Sequence, residues 1–422
     1  MDAFRYQDNE LCCEDLPLKE LAEEFGTPLY VYSRNQILQN YRTVAAPLAG
    51  LDHCVCYALK ANANPALLKM LAQEGSGADV VSGGELQLAL TAGFTPEKIT
   101  FAGVGKRDDE IEFALATGVF SINAESSQEL QTISRIAYRL GKTAHVTLRI
   151  NPDIDAQSHP YITTGLKQNK FGIPAEEALT VFKYAASLPN LSTIGVHTHI
   201  GSQITKVEPF IEAATFLVGL TKSLREAGFP VTHIDLGGGF GVQYQNAIMR
   251  EGLPQEPEIT PAPPLSQFIE GILPVLRESG CSVWIEPGRS IVANAGALVT
   301  KVLYTKENGA KKFVIVDAGM NDLIRPSLYH AYHQIVPLTI HTYEYEKVDV
   351  VGPICETGDF LARERTMPKA KRDDYLAVLT AGAYGFSLSS NYNARLRPPE
   401  ILVNGEKIRI VRERQKFEDL MK

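Results

Sequence analysis

The chain has 422 residues, 45% hydrophobic and 21% charged, a composition that excludes wholesale disorder, a collagen and a coiled coil. Its 49 acidic and 41 basic side chains leave a net charge of minus 8; without a field of Lys and Arg, neither nucleic acid nor an anionic membrane is an expected partner. Met1 to Asp15 is acidic and lacks the basic start and apolar run of a secretory signal, so a cytoplasmic, reducing setting is expected.

Asp15 is placed to cap a first helix with Pro17 in its opening turn, Leu18, Leu21, Ala22 and Phe25 on one face, and Gly26 as the stop. Leu29 to Tyr32 then reads as a strand. Cys12 and Cys13 are adjacent and cannot easily bridge, and Cys54 and Cys56 alternate on an apparent strand, so the six cysteines form no disulfide scaffold.

From His53 onward, short β-branched runs alternate with amphipathic segments of helical length. Eight runs are counted: His53–Leu59, Ala78–Ser82, Ile99–Ala102, Val119–Asn123, His145–Asn151, Thr193–Ile200, Thr232–Leu236 and Ser282–Glu286. Helical segments fall between them at Pro65–Glu74, Gly84–Ala92, Asp108–Ala116, Ser126–Leu140, Ala175–Ser187, Val207–Glu226 and Pro264–Ser279. Eight strands with intervening helices over about 250 residues is the pattern of a (β/α)8 TIM-type barrel. A doubly wound sheet is the competing arrangement, but no Gly-x-Gly-x-x-Gly follows the first strand. The connection Pro152–Pro174 is longer than packing requires and is a candidate functional loop. Gly252–Pro264 is proline-rich and reads as a surface loop.

After Arg289 the pattern changes to strands and turns at Ala297–Tyr304, Phe313–Asp317, Glu346–Val351, Tyr375–Thr380 and Ile401–Val403, a second, mainly β domain. The uncharged stretch Tyr375–Ala394 is too rich in Gly, Ser and Asn to cross a membrane. The expected division is 1–35 with the β domain, 36–285 as the barrel and 286–422 as the remainder of the β domain, with a site between the two a reasonable expectation.

Barrel enzymes carry their chemistry at the C-terminal ends of the strands. Those ends here are Lys60, Asp79, His199, Gly237-Gly-Gly-Phe-Gly241 and Glu286-Pro-Gly-Arg289. Lys60 is either a solvated strand-end lysine or, if desolvated, a nucleophile able to form a Schiff base. The glycines are either a tight turn or, after the seventh strand, a phosphate cradle of bare N–H groups to which Ser202 adds a hydroxyl. A phosphate pocket opposite a lysine suggests pyridoxal phosphate. Glu286 suits the ring nitrogen of that cofactor, the alternative being an ion pair with Arg289. His197 and His199 alternate on one strand and could instead hold a metal, as in a barrel metallohydrolase, with His233 and Asp235 the only further donors nearby. The reading preferred here has no metal, His199 stacked on the cofactor and His197 packed below.

Tyr57-Ala-Leu-Lys-Ala-Asn62, His197-Thr-His-Ile-Gly-Ser-Gln203, Gly237-Gly-Gly-Phe-Gly241 and Glu286-Pro-Gly-Arg289 together resemble the pyridoxal phosphate decarboxylases that join an alanine-racemase-like barrel to a β domain. Gly319-Met-Asn-Asp-Leu-Ile-Arg-Pro-Ser-Leu-Tyr329, Cys355-Glu-Thr-Gly-Asp359, Gly382-Ala-Tyr-Gly385 and Ser389-Ser-Asn-Tyr-Asn393 make the chain most similar to the diaminopimelate decarboxylases. Thr357 and Asn169 stand where that family usually has Ser.

The resemblance implies decarboxylation of meso-diaminopimelate to L-lysine, with Lys60 as the Schiff-base lysine, His199 on the ring face and Glu286 at the ring nitrogen. It places Asp79, Ser202, Gly238, Gly239, Pro287, Gly288, Arg289 and Tyr384 about the cofactor. Arg289, Arg325, Tyr329 and Tyr384 would meet the substrate. Cys355 would serve as proton donor and Glu356 as partner of the distal ammonium, both from the second subunit of a homodimer. Ornithine, lysine or arginine decarboxylation is the nearest alternative, and an inactive paralogue a more distant one. Arg325 and Glu356 argue against the former.

Overall fold

The structure, a computed structural model, describes residues 3–155, 169–255 and 261–421. It divides into two compact units, one of residues 41–241 and 262–290, the other of residues 1–40, 242–261 and 291–422. Relative to the division expected from sequence, 36–40 and 242–261 lie with the β unit and 286–290 with the barrel.

The first unit is the expected barrel. Its parallel strands are His53–Ala58, Gly77–Val80, Ile99–Phe101, Ser121–Ala124, Ala144–Asn151, Leu191–His197, His233–Asp235 and Ser282–Ile285. Neighbours pair in chain order, and the eighth returns to the first through Val283 opposite His53, closing the ring. At one crossing the sixth and seventh strands approach so closely that a Cβ on Gly195 would meet the His233 carbonyl oxygen at 2.4 Å. Cys54 and Cys56 pack against Trp284 and Phe120 as one buried cluster, which accounts for their alternation on the strand as packing.

The helices form where amphipathic runs meet local caps. Ser126 Oγ accepts from the Glu129 N–H at 3.2 Å, Leu130, Ile133, Ile136 and Ala137 give the helix Ser127–Leu140 its buried face, and Gly141 ends it at φ 62°. Ser82 and Glu85 repeat the device on Gly83–Ala92, with Ser82 Oγ accepting from the Glu85 N–H at 3.2 Å and Glu85 Oε2 from the Val81 N–H at 2.9 Å. The candidate loop 152–174 lies mostly outside the described residues, as does the centre of 252–264.

The second unit is a mainly β body. Its large sheet runs in the order Phe360–Pro368, Tyr345–Val351, Lys311–Val316, Gly296–Asn308, Leu29–Ser33, Glu400–Asn404, Lys407–Arg412, with Tyr375–Val378 also pairing on Gly296–Asn308. The N-terminal strand Leu29–Ser33 is thus central, antiparallel to Gly296–Asn308 and parallel to Glu400–Asn404. Leu18, Leu21, Leu29, Val31, Val299, Leu379 and Ile401 share one apolar core, and this burial, not a polar cap, stabilises the first helix. Asp15 does not cap that helix: Pro17 occupies the N-cap position, and Asp15 Oδ1 instead accepts from Arg5 at 3.0 Å. Among the described residues no helix is long and apolar enough to cross a membrane.

Candidate active site

Within the barrel unit the expected rim residues gather at the C-terminal strand ends. Lys60 sits in the single 3-10 turn Leu59–Ala61 after the first strand, and its Nζ lies 2.6 Å from Asp79 Oδ2. Ala58 and Asp79 are register partners on adjacent strands, which is why the two side chains meet. Asp79 is wholly buried; burial and Glu286 push its carboxyl above the usual carboxylate range, and Lys60 draws it back.

Glu286 follows the eighth strand and is 4% exposed. Its Oε2 lies 3.4 Å from His197 Nε2, and its Oε1 accepts from Asn123 Nδ2 at 3.5 Å. Burial alone would raise this carboxyl, but His197 and Lys60 outweigh it and hold the group well below its ordinary value. Arg289, weighed from sequence as an ion-pair partner of Glu286, donates through Nη2 to Ser202 Oγ at 2.9 Å. A strand-end guanidinium and hydroxyl thereby meet where an anion can be bound.

His199 lies just past the sixth strand, beyond the last paired residue His197. The Gly238 N–H donates to His199 Nδ1 at 3.1 Å. That bond requires a lone pair on Nδ1, and burial with Arg149 and Lys60 nearby depresses the imidazole far below its usual pKa. His199 is therefore a neutral ring, suited to lie on a flat conjugated face. The Gly238 N–H, expected on a phosphate, is spent on orienting it.

The glycines are required by close approach. A Cβ on Gly238 would meet the Glu286 carbonyl oxygen at 2.1 Å, and one on Gly239, at φ 105°, would meet the Gly201 carbonyl oxygen at 2.2 Å. Gly288 likewise leaves only 3.0 Å to Ala58 Cβ. Sequence reasoning missed Asn123 and Arg149 as rim residues, although each lies near the end of a counted strand and carries a polar group where an apolar one is usual. Arg149 Nη1 pairs with Glu125 Oε1 at 2.9 Å, both side chains buried.

Within the β unit a second set assembles. Arg325 opens the short helix Arg325–Tyr329, is 5% exposed and lies 4.5 Å from the centre of the Tyr244 ring. Cys355 and Glu356 are exposed on a tight loop. The Cys355 N–H donates to Asn393 Oδ1 at 2.8 Å, and the Tyr392 hydroxyl to Glu356 Oε2 at 2.8 Å. Asp359 shapes that loop by accepting from the N–H groups of Met320 and Ile354, each at 2.6 Å. Tyr384 occupies φ 56°, an uncommon backbone state for an aromatic residue, inside the glycine-flanked Gly382–Gly385 turn.

Residues 34–293 match the family described as pyridoxal-dependent decarboxylase, pyridoxal binding domain. The diaminopimelate decarboxylase of Pseudomonas aeruginosa is 49% identical over 421 residues, covering 100% of this chain and 98% of its own length. That of Aquifex aeolicus is 47% identical over 418 residues, 98% and 96% of the two chains. The crystal structure of the Helicobacter pylori diaminopimelate decarboxylase complexed with L-lysine is 44% identical, with a TM-score of 0.89 over 96% of this chain and 98% of that one.

A closed parallel barrel with this rim, joined in sequence to a mainly β unit, thus defines a pyridoxal-dependent decarboxylase. Membership of that class overturns the metallohydrolase alternative. Within the class, the chain belongs to the diaminopimelate decarboxylase family.

The residues present fit a pyridoxal phosphate. A lysine amine stands on the rim, a neutral imidazole is held by the glycine loop, a buried carboxylate can face a ring nitrogen, and side-chain-free backbone lies beside the Ser202 hydroxyl.

Proposed function

We propose that this chain removes one carboxylate of meso-2,6-diaminopimelate as carbon dioxide and leaves L-lysine, the last step of lysine synthesis by that route, working in the cytoplasm as a homodimer. The observation that carries the reading is the barrel rim on which Lys60, paired to Asp79 at 2.6 Å, shares a site with an ionised Glu286 and a neutral His199.

Bound pyridoxal phosphate supplies the electron sink that accepts the pair left on carbon when carbon dioxide departs. Lys60 would hold the cofactor through Nζ. Glu286 would hold a proton at the ring nitrogen, and His199 would lie against the ring. Ser202, Gly239 and Tyr384 receive the phosphate, joined by Arg289, whose contact with Ser202 supports that placement. Asp79, Gly238, Pro287 and Gly288 frame the cofactor from the surrounding strand ends.

Arg325 and Tyr329 receive the carboxylate that is kept. Cys355 of the second subunit returns a proton to the carbon that lost its carboxylate, and Glu356 accepts the distal ammonium. Each charge-assisted contact contributes roughly 1.5 to 3 kcal/mol. Substrates without the second carboxylate forfeit such contacts, so discrimination of about a hundredfold or more is expected.

Carbon dioxide release from meso-diaminopimelate, L-lysine and L-ornithine tests the reading. Turnover of the first alone is expected, and equal turnover of ornithine overturns the substrate assignment.

A further inference from the structure

The end of the seventh strand carries a second buried carboxyl, Asp235, that no step of the reaction uses. Asp235 and His197 are register partners on adjacent strands, and Glu286 lies two residues beyond Trp284, the partner of Asp235 on the other side. One polar side-chain atom from each of His197, Asp235 and Glu286 lies within 4.8 Å of the others, and the three residues are 1%, 0% and 4% exposed.

The two carboxyl groups are satisfied very differently. Glu286 has His197 at 3.4 Å, the Asn123 amide at 3.5 Å and the field of Lys60. Asp235 has one donor, the Gly237 N–H at 2.9 Å on Oδ1, while its buried Oδ2 has none among the described residues. The other groups facing this layer do not repair that: Asp79 is a further acid, and Cys56 and His233 are held uncharged by burial. Two carboxylates this close and this dry cannot both ionise, because each makes the other's charge costlier. The better-solvated one takes the charge and the other keeps the proton.

We propose that Asp235 is a neutral acid whose Oδ2–H is directed to Glu286, making Asp235 the positioning residue that keeps the Glu286 carboxylate ionised at the cofactor's ring nitrogen. The proposal rests on the reading of Glu286 as the ring-nitrogen partner. Its direction agrees with the electrostatics, in which burial, then Glu286, pushes Asp235 well above the usual range. Because Oδ1 is tied to Gly237, the same side chain links the glycine loop to the ring-nitrogen end of the site. An ionised Asp235 would instead force a proton onto Glu286, and the ring nitrogen would lose its partner.

The test compares Asp235→Asn, Asp235→Ala and Glu286→Gln as holoenzymes, reading the visible absorbance of the bound cofactor against pH together with kcat. Asn keeps an N–H donor toward Glu286 and an acceptor for Gly237 without charge. Asp235→Asn is therefore expected to hold kcat within about threefold and leave the absorbance titration in place, whereas Asp235→Ala shifts that titration by about one unit and lowers kcat about tenfold. An Asn variant as impaired as the Ala variant shows that the charge is needed and overturns the proposal. Should Asp235→Asn not fold, Asp235→Thr supplies a hydroxyl donor of strand-compatible shape, and the same two outcomes decide. A Glu286→Gln enzyme with unchanged spectrum and kcat overturns the assignment of Glu286 itself, a failure distinct from that of Asp235.

Discussion

Arg325 Nη1 lies 2.7 Å from His333 Nε2, and His333 Nδ1 lies 2.8 Å from the Leu379 carbonyl oxygen. A guanidinium can only donate and a carbonyl can only accept, so the ring carries its proton on Nδ1 and offers a lone pair to the arginine. His333 is fully buried and meets Tyr244 edge-on at 5.0 Å, while the Arg325 guanidinium lies over that same Tyr244 ring. The arginine expected to meet the retained substrate carboxylate is thus aimed by a neutral histidine and an aromatic ring.

Removing the acceptor should loosen that aim. His333→Ala is expected to raise KM for meso-diaminopimelate about tenfold with a smaller effect on kcat, since the lost contact is made in ground and transition states alike. His333→Gln, whose amide oxygen can accept from Nη1, should recover part of the loss. Steady-state kinetics of the two variants decide the matter; a fall in kcat alone would place His333 elsewhere in the reaction.

Lys60 and Asp79 give the most direct test of the barrel rim. Lys60→Ala should lose the visible band of the bound cofactor and on the order of a thousandfold or more in kcat. Asp79→Ala removes the carboxylate at 2.6 Å from Nζ and should weaken cofactor retention, measured as the cofactor remaining after dialysis. A Lys60→Ala protein with an unaltered visible band would remove Lys60 from the chemistry.

The barrel is legible because strand and helix periods alternate cleanly from His53 to Glu286, and the rim because charged or glycine residues end apolar runs. The strands Phe360–Pro368 and Lys407–Arg412 escape recognition: Arg363, Glu364, Lys407 and Arg409 put charge on exposed faces and hide the alternation. Asp15 fails as a cap because Arg5, brought to it by hairpin pairing of Phe4–Gln7 with Glu10–Cys13, takes its carboxylate. His199 and Glu286 can be named from sequence, but His197, Asn123 and Asp235 acquire meaning only once three-dimensional register sets them beside Glu286.

Backbone approach makes the glycine loop intolerant in a way that can be separated from general fragility. Gly239→Ala places a Cβ against the Gly201 carbonyl at an unfavourable φ, and a cost of about 2 kcal/mol or more with loss of cofactor retention is expected. Gly84 lies inside the helix Gly83–Ala92 at an ordinary φ, and a Cβ added there would meet nothing nearer than Ser82 Oγ at 3.7 Å, so Gly84→Ala should stabilise by roughly 0.5 to 1 kcal/mol. Thermal unfolding of both variants, with cofactor content measured in parallel, is the check. Equal effects in the two would mean that the glycine loop can yield.

Glu85 gives the chain a pH dependence of known sign. Its carboxyl accepts the Val81 N–H while burial, with Asp79 adding to it, pushes the pKa from 4.5 to about 7. Between those two values the folded chain holds a proton that the unfolded chain has released. Stability therefore falls as pH rises across that window and stays at the lower level above it. The penalty is on the order of 1 to 3 kcal/mol, allowing for the partial exposure of the side chain. Glu85→Gln keeps the acceptor for Val81 and removes the charge, so the variant should melt higher than the parent at about pH 8 and level with it at about pH 4. A gain of the same size at both pH values would mean that packing, not ionisation, distinguishes the two side chains.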